Sequence, residues 1–440
     1  MEDRPGRTDD HGPEAARVRS GGPTVSPISA GPARCRFCSE PLTDTVVDLG
    51  MSPLCESYVR PEKLNSMEAF YPLHVLVCRT CWLVQIEEYV SSDAIFSEYA
   101  YFSSFSQSWV QHAQDYVTMM IDRFALGAHS NVIELASNDG YLLQWFVKAG
   151  IPCLGIEPAA NVAAAAEDKG VPTLVRFFGA DLADELTAED RRADVLIGNN
   201  VLAQVPNLNE FVAAMRAVLA PGGVVTMEFP HLVTLFEQNQ FDTIYHEHFS
   251  YFSFTTAVAL FAHHGMTIFD VEEIPTHGGS LRIFASRASE PDLSIRASVG
   301  ELLAREERFG ITDIARYLSF GRQVEETKRG ILALLIDLKR NGKHIAGYGA
   351  PGKGNTLLNY CGIRSDFLDF TVDRNTYKQG LFLPGTHIPI LPPEEIDRSR
   401  PDFVFILPWN VKQEIMAQMA HIRDWGGQFI VPIPQAHIVP

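Results

Sequence analysis

The chain has 440 residues, of which 46% are hydrophobic, and this is enough for two or three domains with ordinary cores. Lys and Arg total 36 against 54 Asp and Glu, so the formal charge is -18 and the surface would repel nucleic-acid backbones and anionic lipids. No apolar run approaches the ~18 to 20 residues of a membrane span, and the first residues lack the apolar core of a signal peptide. These features predict a multidomain cytoplasmic protein with neither nucleic-acid nor membrane partners.

The amino-terminal stretch differs from the rest of the chain in composition. Residues 1–33 are rich in Gly, Pro, Arg, Asp and Ser, and their apolar residues follow no helical or strand period. Such a segment buries too little apolar surface to offset the entropy lost on ordering it, so the sequence predicts a disordered leader.

Two C-x2-C pairs follow in a segment that lacks long helical patterns. The first pair is Cys35 and Cys38, and the second is Cys78 and Cys81. Four soft thiolates at this spacing favour tetrahedral zinc, and because they leave no open coordination position the ion would be structural. Redox pairs or ordinary cysteines are the alternative, but sparse cysteines in a reducing cytosol favour metal. The segment 34–98 is therefore predicted to be a small zinc-binding module.

The remaining cysteines are expected to pack in the interior. Cys55 lies between the two pairs and could substitute for a ligand, but its isolated position favours a packing role. Cys153 and Cys361 lie in apolar strand and helix contexts, where cysteine behaves as a small hydrophobic residue.

Strand and helix patterns alternate through most of the remaining chain. NVIELA, PCLGIEP, ADVLIGNN and GGVVTMEFP predict strands separated by helices, and after a helical bridge the alternation restarts with HIAGYGA, FLDFTVD and DFVFILP. Such alternation implies parallel strands in an open α/β sheet. The sequence predicts two α/β domains in tandem, at residues 99–295 and, together with the helical bridge, at residues 296–440.

The first strand of this series runs into a candidate cofactor-binding turn. In IELASNDGYLL, Glu134 is followed by Ala136, Asn138 and Gly140 at alternate positions. Small residues there let the backbone approach a ligand at a helix amino terminus. The turn is a degenerate version of the E-x-G-x-G-x-G loop and resembles that of class I S-adenosylmethionine methyltransferases.

Three later features stand in register with that pattern. Glu157 ends the next strand, where an acid can hold ribose hydroxyls, Asn199 and Asn200 close the following one, and LAPGG, from Leu219 to Gly223, precedes the next. The SNDG turn lacks the G-x-G spacing that a pyrophosphate needs, which favours S-adenosylmethionine over NAD. An α/β domain with ordinary polar strand ends is the alternative.

The most unusual stretch is QFDTIYHEHFSYFSFTT, in which Tyr245, His246, Glu247 and His248 are consecutive. Three ionisable residue types in four positions suggest proton chemistry. In an extended backbone Tyr245 and Glu247 would face one way and the two histidines the other. The spacing is not H-E-x-x-H, so a zinc site of that type is excluded. A structural role is the alternative for each histidine, and more so for His246.

Taken in order, these motifs resemble the nucleotide-sugar C-methyltransferases. The likeness includes the zinc-binding module, the SNDG turn, IYHEHFSY, HGGSLR at His277 to Arg282 and GYGAPGKGNT at Gly347 to Thr356, and it runs from Cys35 to the end of the chain. It implies three domains: the zinc-binding module, a class I methyltransferase domain and a second Rossmann-like domain. It also implies methyl transfer from S-adenosylmethionine to carbon 3 of a dTDP-linked 4-keto-deoxysugar, through a base-generated enolate, in the biosynthesis of antibiotics and related glycosides.

The resemblance also implies roles for individual residues. His248 matches the base that removes the proton beside the ketone, and a neutral imidazole suits that role because its pKa lies near the working pH. Glu247 and Tyr245 match the neighbours that orient this base or hold the keto oxygen. Tyr101, in YAYFSS, matches a further active-site tyrosine, with Tyr99 as the alternative in the alignment.

Five further residues are candidate substrate contacts: Gln204, His277, Arg282, Lys353 and Asp373. Gln204, in NVLAQVP, departs from the family pattern, in which a His is frequent; Gln forms hydrogen bonds but takes no proton at neutral pH. Lys353 is in a Gly-rich turn that is no Walker A loop, because no hydroxyl residue follows the lysine, yet the turn offers a cation and backbone donors to phosphate. A structural role is the alternative for His277, Arg282, Lys353 and Asp373, whereas Gln204 would mean that an acid or base step is missing or that the substrate has a different stereochemistry.

Two other functions fit the same sequence. A methyltransferase acting on oxygen, or on a non-sugar ketone or acyl acceptor, would use the same fold with a different pocket. A catalytically silent nucleotide-sugar-binding homologue would explain the degenerate turn and Gln204. The intact Tyr245, Glu247 and His248 favour an enzyme. The acceptor, the face of attack and the oligomeric state, monomer or dimer, remain open at this level.

Overall fold

The computed structural model describes residues 33–96, 102–105, 107–290 and 294–440. The predicted leader lies outside these ranges except for its last residue. The described residues form sheets of four, seven and six strands. The strands are β1 (Asp44–Ser52), β2 (Tyr71–Val77), β3 (Val84–Ile86), β4 (Val132–Leu135), β5 (Cys153–Ile156), β6 (Thr173–Leu174), β7 (Ala193–Asn199), β8 (Leu219–Pro230), β9 (Ser250–Tyr251), β10 (Met266–Ile274), β11 (Ser280–Arg287), β12 (Ile345–Tyr348), β13 (Thr371–Val372), β14 (Ile390–Leu391), β15 (Phe403–Ile406), β16 (Gln428–Val431) and β17 (His437–Val439). The helices are α1 (Ser92–Phe96), α2 (Gln107–Phe124), α3 (Leu143–Lys148), α4 (Ala160–Asp168), α5 (Ala180–Ala188), α6 (Leu208–Val218), α7 (Leu232–Glu237), α8 (Phe254–His263), α9 (Ala297–Phe309), α10 (Ile314–Arg340), α11 (Gly352–Cys361), α12 (Glu395–Ser399) and α13 (Lys412–Gln418).

The amino-terminal sheet is antiparallel, with strand order β1-β2-β3-β9. Its fourth strand comes from the segment directly after Tyr245–His248, and Tyr251 pairs with Val84 of β3. The module that carries the cysteine pairs is therefore tied by backbone hydrogen bonds to the candidate reacting residues.

The central sheet has the order β10-β11-β8-β7-β4-β5-β6. Strands β4 to β8 are parallel, and β11 pairs antiparallel with both β8 and β10. All four residues of β4 are buried, as expected for a parallel strand covered on both faces. Because β5 and β7 flank β4 on opposite sides, a crevice opens at the carboxyl end of β4, where ligands bind in such sheets.

The carboxy-terminal sheet repeats this plan, with the order β14-β13-β12-β15-β16-β17. Its first five strands are parallel, and β17 closes the edge antiparallel to β16. The central strand β12 again has its successors on opposite sides, β13 on one and β15 on the other. Both predicted α/β domains, the second of them Rossmann-like, are thus confirmed. Among the helices that the structure describes, none is long and apolar enough to cross a membrane.

Candidate active site

A cavity of about 1270 Å³ lies where the three modules meet. The amino-terminal module lines it with Cys55 and Glu56, the central domain with Asn138 and Glu157, and the carboxy-terminal domain with Lys353, among others. Sites for one small molecule have volumes of about 300–1,000 Å³. The cavity therefore has room for two ligands side by side.

The turn after β4 keeps the backbone of a glycine loop although two glycines are missing. Ala136, Asn138 and Gly140 have φ angles of 53°, 48° and 72°, all in the left-handed region that glycine adopts most easily. At Gly140 a side chain is also disfavoured by space, because a Cβ atom would lie 3.0 Å from Cγ2 of Val171 and 3.1 Å from Cβ of Ala166. Ala136 and Asn138 line the cavity, whereas Gly140 packs behind it.

Glu157 joins this turn to the end of β5. Its Oε2 accepts a hydrogen bond from the backbone N–H of Asn138 at 2.9 Å, and its Oε1 accepts one from that of Ala159 at 2.9 Å. Burial raises the pKa of Glu157, although the two N–H donors oppose the shift. The carboxylate lines the cavity and has further lone pairs for nucleoside hydroxyls.

Two asparagines close β7 at the same crevice, as the sequence predicts. Asn199 and Asn200 line the cavity, and both polar atoms of the Asn199 side chain are buried without a hydrogen-bond partner among the described residues. Leaving a buried polar group unpaired costs about 1–3 kcal/mol, so a ligand is expected to supply the partner. Glu134 lies behind the lining, 1% exposed, and burial raises its pKa well above the usual value.

The segment Tyr245–His248 is a turn, not an extended strand. The backbone N–H of His248 donates to the carbonyl of Tyr245 at 2.9 Å, and this brings the two rings to 4.2 Å between centroids. Tyr245, Glu247 and His248 all line the cavity. His246 alone turns away, with its Nε2 3.1 Å from the carbonyl oxygen of Pro72 in β2. The alternating pattern expected for an extended backbone is therefore wrong.

His248 is 7% exposed and is held in one tautomer. Its Nδ1 lies 3.2 Å from the carbonyl oxygen of Thr243, which accepts only, so the lone pair of the neutral ring is on Nε2. Burial lowers the pKa of His248 to about 4, because charging a desolvated ring is unfavourable, and the nearby charge of Lys353 acts in the same direction. A neutral ring of this kind can accept a proton.

Tyr245 and Glu247, the neighbours of His248 in the chain, are a hydrogen-bond donor and a hydrogen-bonded carboxyl group. Burial raises the pKa of Tyr245 well above its usual value, so the phenol stays protonated and can donate. The Cys55 thiol donates to Oε1 of Glu247 at 3.5 Å, which places this cysteine in contact with the site rather than in an ordinary packing role.

His277 lies at the junction between the cofactor turn and the base. Its Nε2 is 3.1 Å from Nδ2 of Asn200, and its ring packs edge-on against Trp109 at 4.9 Å. Burial and the charge of Lys353 lower the pKa of His277 to about 3, so its ring is neutral. Trp109 and His112 also line the cavity and were not apparent from the motifs. Their separation by three positions on α2, which puts both on one helix face, is the signal that could have indicated them.

Arg282 does not line the cavity. Its guanidinium forms ion pairs with Glu228 at 2.6 Å and with Glu272 at 2.9 Å, and the carboxylate of Glu228 also contacts His112 at 3.0 Å. The strand partners of Arg282 thus engage its charge, and we do not include it among the substrate contacts.

The carboxy-terminal domain contributes an acid at the end of β13. Asp373 accepts hydrogen bonds from the backbone N–H groups of Ala350 at 2.7 Å and Asn375 at 2.8 Å. Arg374 and Lys378 line the cavity beside it, and the sequence motifs did not indicate either. Lys378 is engaged by protein oxygens, including the Ala350 carbonyl at 3.0 Å, whereas Arg374 has its nearest acid 4.0 Å away and is largely exposed.

Gln204 lines the cavity from the loop after β7. Two residues further on, the carbonyl of Pro206 accepts a hydrogen bond at 3.0 Å from Arg36, which lies between Cys35 and Cys38. The loop that presents Gln204 is thus braced by the amino-terminal module. Tyr101 and its alternative Tyr99 lie outside the described residues.

The four paired cysteines come together in the amino-terminal module. The sulfur atoms of Cys35, Cys38, Cys78 and Cys81 all lie within 4.8 Å of one another. Gln85 donates to the Cys35 sulfur at 3.2 Å, as a residue outside a thiolate cluster commonly does. Four soft donors at these distances fit a structural zinc ion, which is four-coordinate in such sites.

Comparisons with known proteins match all three modules. Residues 35–96 match a family model described as "Putative zinc binding domain", residues 109–271 a "Methyltransferase domain" and residues 275–434 a "C-methyltransferase C-terminal domain". The C-methyltransferase NovU of Streptomyces niveus is 37% identical over 405 residues, which cover 92% of this chain and 96% of NovU.

The solved structures that resemble this chain include several methyltransferases, each of which covers less than half of it. Magnesium protoporphyrin IX methyltransferase of Synechocystis PCC 6803 is 12% identical, with 40% of this chain and 79% of that chain covered and a TM-score of 0.31. The DhpI complex with S-adenosylhomocysteine is 21% identical, with 42% and 91% covered and a TM-score of 0.31. The predicted cofactors, S-adenosylmethionine and structural zinc, agree with the domain matches.

Proposed function

This chain belongs to the family of S-adenosylmethionine-dependent C-methyltransferases, and from that premise we propose that it methylates carbon 3 of a dTDP-linked 4-keto-deoxysugar. The product is a branched deoxysugar of the kind built into antibiotics and other glycosides. The acceptor and the methylated position are the new elements of this proposal.

A structural correspondence between the two α/β domains supports a nucleotide as part of the substrate. Glu157 and Asp373 each follow the strand beside the central strand of their sheet. Each carboxylate accepts one hydrogen bond from a backbone N–H in the turn after the central strand. It accepts another from the backbone N–H of the residue two positions after the acid itself. An acid at this place in a doubly wound sheet pairs with nucleoside hydroxyls. Both acids line one cavity, which fits one nucleoside from the cofactor and one from the substrate.

The position of the base supports proton removal beside a ketone. A ketone at carbon 4 makes the proton on carbon 3 acidic, because the carbanion is delocalised onto the oxygen. Nε2 of His248 carries the lone pair that accepts this proton. Tyr245, protonated and in ring contact with His248, is placed to donate a hydrogen bond to the substrate or the base.

The cofactor half of the cavity has the groups that a nucleoside with an amino acid tail requires. Glu157 would hold the ribose hydroxyls, the backbone of Ala136 and Asn138 would admit the ligand closely, and Asn199 offers unpaired amide atoms. S-adenosylmethionine, when bound, supplies an electrophilic methyl group. The residues around it would fix its position relative to the enolate carbon.

The deciding experiment is an assay by mass spectrometry. The enzyme is incubated with S-adenosylmethionine and a panel of dTDP-4-keto-deoxysugars, and products are scored for one added methyl group located by fragmentation. A methyl group on carbon 3 supports the proposal. A methyl group on carbon 5, which also adjoins the ketone, would correct the position while keeping the substrate class.

The same assay separates the competing functions. Exchange of the proton beside the ketone with solvent deuterium, without methylation, would indicate a working base and a wrong sugar. Cofactor binding with neither exchange nor methylation on any sugar would favour a non-sugar acceptor or a silent homologue.

A further inference from the structure

Lys353 is a half-buried cation that lines the cavity without a carboxylate to neutralise it. Its Nζ donates to Oδ1 of Asn410 at 2.8 Å and lies 4.9 Å from the centroid of the Trp409 ring. No carboxylate among the described residues is in ion-pair contact with it. Burial lowers the pKa of Lys353, and the negative charge of Asp242 opposes that shift. A positive charge at the wall of a partly enclosed cavity interacts favourably with any negative charge that forms nearby.

One short segment, 242–244, positions both His248 and Trp409, the ring against which Lys353 lies. The carbonyl of Thr243 accepts from His248. One residue earlier, the carboxylate of Asp242 accepts from Nε1 of Trp409 at 2.6 Å. The imidazole and the ring that lies against Lys353 are therefore fixed to consecutive residues.

The helix that carries Lys353 is attached to the same segment. The hydroxyl of Thr356, one turn along α11, donates to the carbonyl of Ile244 at 2.9 Å. The charge of Lys353 contributes to the low pKa values of both His248 and His277, as a cation close to two imidazoles must. Lys353 and His248 thus line the same cavity and are both attached to the segment 242–244.

We propose that Lys353 stabilises the enolate oxygen of the substrate; this inference rests on the proposed function and assigns the group that makes the proton removable. When Nε2 of His248 takes the proton from the carbon beside the ketone, the C–H electron pair forms the new C=C bond. The π pair of the ketone moves onto oxygen. The ammonium group of Lys353 keeps its proton and donates a hydrogen bond to that oxyanion.

The alternative role for Lys353 is to bind the diphosphate, and the distribution of cations argues against it. Asp373, the nucleoside-binding acid of the proposal, has Arg374 next to it in the chain, lining the cavity with its guanidinium 4.0 Å from Glu414. The diphosphate therefore has a cation at the nucleoside end. Lys353 lies instead with the imidazoles, where the ketone must sit to lose its neighbouring proton.

The test separates the ketone from the diphosphate by using two probes. The first is dTDP-4-keto-6-deoxyglucose in deuterated water with S-adenosylhomocysteine, which permits exchange beside the ketone but no methyl transfer. The second is dTDP, which has the diphosphate and no ketone. Lys353→Met should slow exchange from the saturated complex at least hundredfold, as loss of an oxyanion donor does, and leave the Kd for dTDP within threefold. Lys353→Arg should restore part of the exchange rate because it keeps the charge.

Each other result overturns the inference. A Kd for dTDP weakened tenfold or more would assign Lys353 to the diphosphate, and exchange at the wild-type rate in Lys353→Met would leave it no part in enolate formation. Unchanged affinity for S-adenosylhomocysteine and an unchanged Tm confirm that the variants are folded. Absence of exchange in the wild-type enzyme with this sugar and with every other dTDP-4-keto-deoxysugar of the panel would overturn the proposed function itself, so the two failures are distinguishable.

Discussion

Nδ1 of His248 lies 3.2 Å from the carbonyl oxygen of Thr243, and this contact decides which nitrogen of the ring can act as a base. The carbonyl accepts only, so Nδ1 keeps its proton and Nε2 keeps the lone pair. The backbone of the turn does here what a carboxylate does in many catalytic histidines: it fixes the tautomer and the ring orientation.

Replacing His248 by Gln should therefore abolish the proton step. Glutamine retains hydrogen bonding but accepts no proton at neutral pH, so we expect methyl transfer and deuterium exchange to fall by about 10³-fold or more. The Kd for S-adenosylhomocysteine, measured by calorimetry, should change less than about twofold, because the predicted cofactor contacts lie on the turn after β4 and on Glu157.

His246→Gln is the matched control for this substitution. It makes the same change two residues away, at a ring that contacts Pro72 and does not line the cavity. We expect it to lower the Tm while keeping most of the turnover of the folded enzyme. Retained turnover in His248→Gln, or an equal loss in both variants, would remove His248 from the role of base.

Substitution of Glu157 and of Asp373 should each weaken the binding of a different ligand. Glu157→Gln should weaken S-adenosylhomocysteine about tenfold or more and leave dTDP unaffected, whereas Asp373→Asn should weaken dTDP and leave S-adenosylhomocysteine unaffected. In each variant a carboxylate that accepts two backbone N–H groups becomes an amide with only one acceptor, so its ligand also loses a charge-assisted hydrogen bond.

Calorimetric titration of each variant with each ligand gives the four dissociation constants that this prediction needs. An Asp373→Asn enzyme that binds dTDP like the wild type would show that the carboxy-terminal domain does not hold the nucleotide. Weakening of both ligands in both variants would indicate that the acids act through the stability of the fold.

The sequence was sufficient for the features that are local in the chain. The cysteine pairs, the alternating strands and helices, and the turn with Ala136 and Asn138 follow from spacing and residue size, because their geometry is set within a few residues. The left-handed φ angles at Ala136 and Asn138 show that position within the motif mattered more than the glycine residues themselves.

Features that depend on strand register could not be read from the sequence. Arg282 lies opposite Glu228 in β8 and Glu272 in β10, and it forms ion pairs with both. The guanidinium that the sequence suggested as a substrate contact is therefore neutralised by its strand neighbours. The expected direction of His248 was wrong for a related reason. A hydrogen bond from its backbone N–H to the carbonyl of Tyr245 makes a turn where extended backbone was expected, so His248 lines the cavity with Tyr245 and Glu247. Which strands pair, and where a chain turns, are properties of the whole sheet.

The pH dependence of catalysis should reflect the burial of the base. Burial lowers the pKa of His248 to about 4, so the free enzyme keeps a neutral, competent ring as the pH falls from 7 to 5 and loses it only as the pH falls through about 4. The acid limb of kcat/KM is thus expected well below the ordinary histidine pKa of about 6.5. A bound diphosphate favours the charged ring, so the limb of kcat should lie at higher pH than that of kcat/KM.

Initial rates measured between pH 3.5 and 8 at saturating cofactor test this ordering, with the Tm recorded at each pH to exclude unfolding. A kcat/KM limb near pH 6.5 would mean that the ring of the free enzyme is hydrated. In that case the cavity would be open to water in the absence of substrate.

Removal of the cysteine cluster should damage the fold before it damages the chemistry. Ser in place of both Cys35 and Cys38 leaves two thiolates, too few for a closed zinc site, so the variant should lose its zinc and its Tm should fall on the order of 10 °C. The loss of stability should extend to the central domain, because β9 joins that domain to this module and Arg36 braces the loop of Gln204.

Cys153→Ser, at a half-buried cysteine outside the cluster, is the control and should keep its zinc. Metal analysis by mass spectrometry and thermal unfolding decide the point, since a zinc-free, folded and fully active double variant is incompatible with a structural ion.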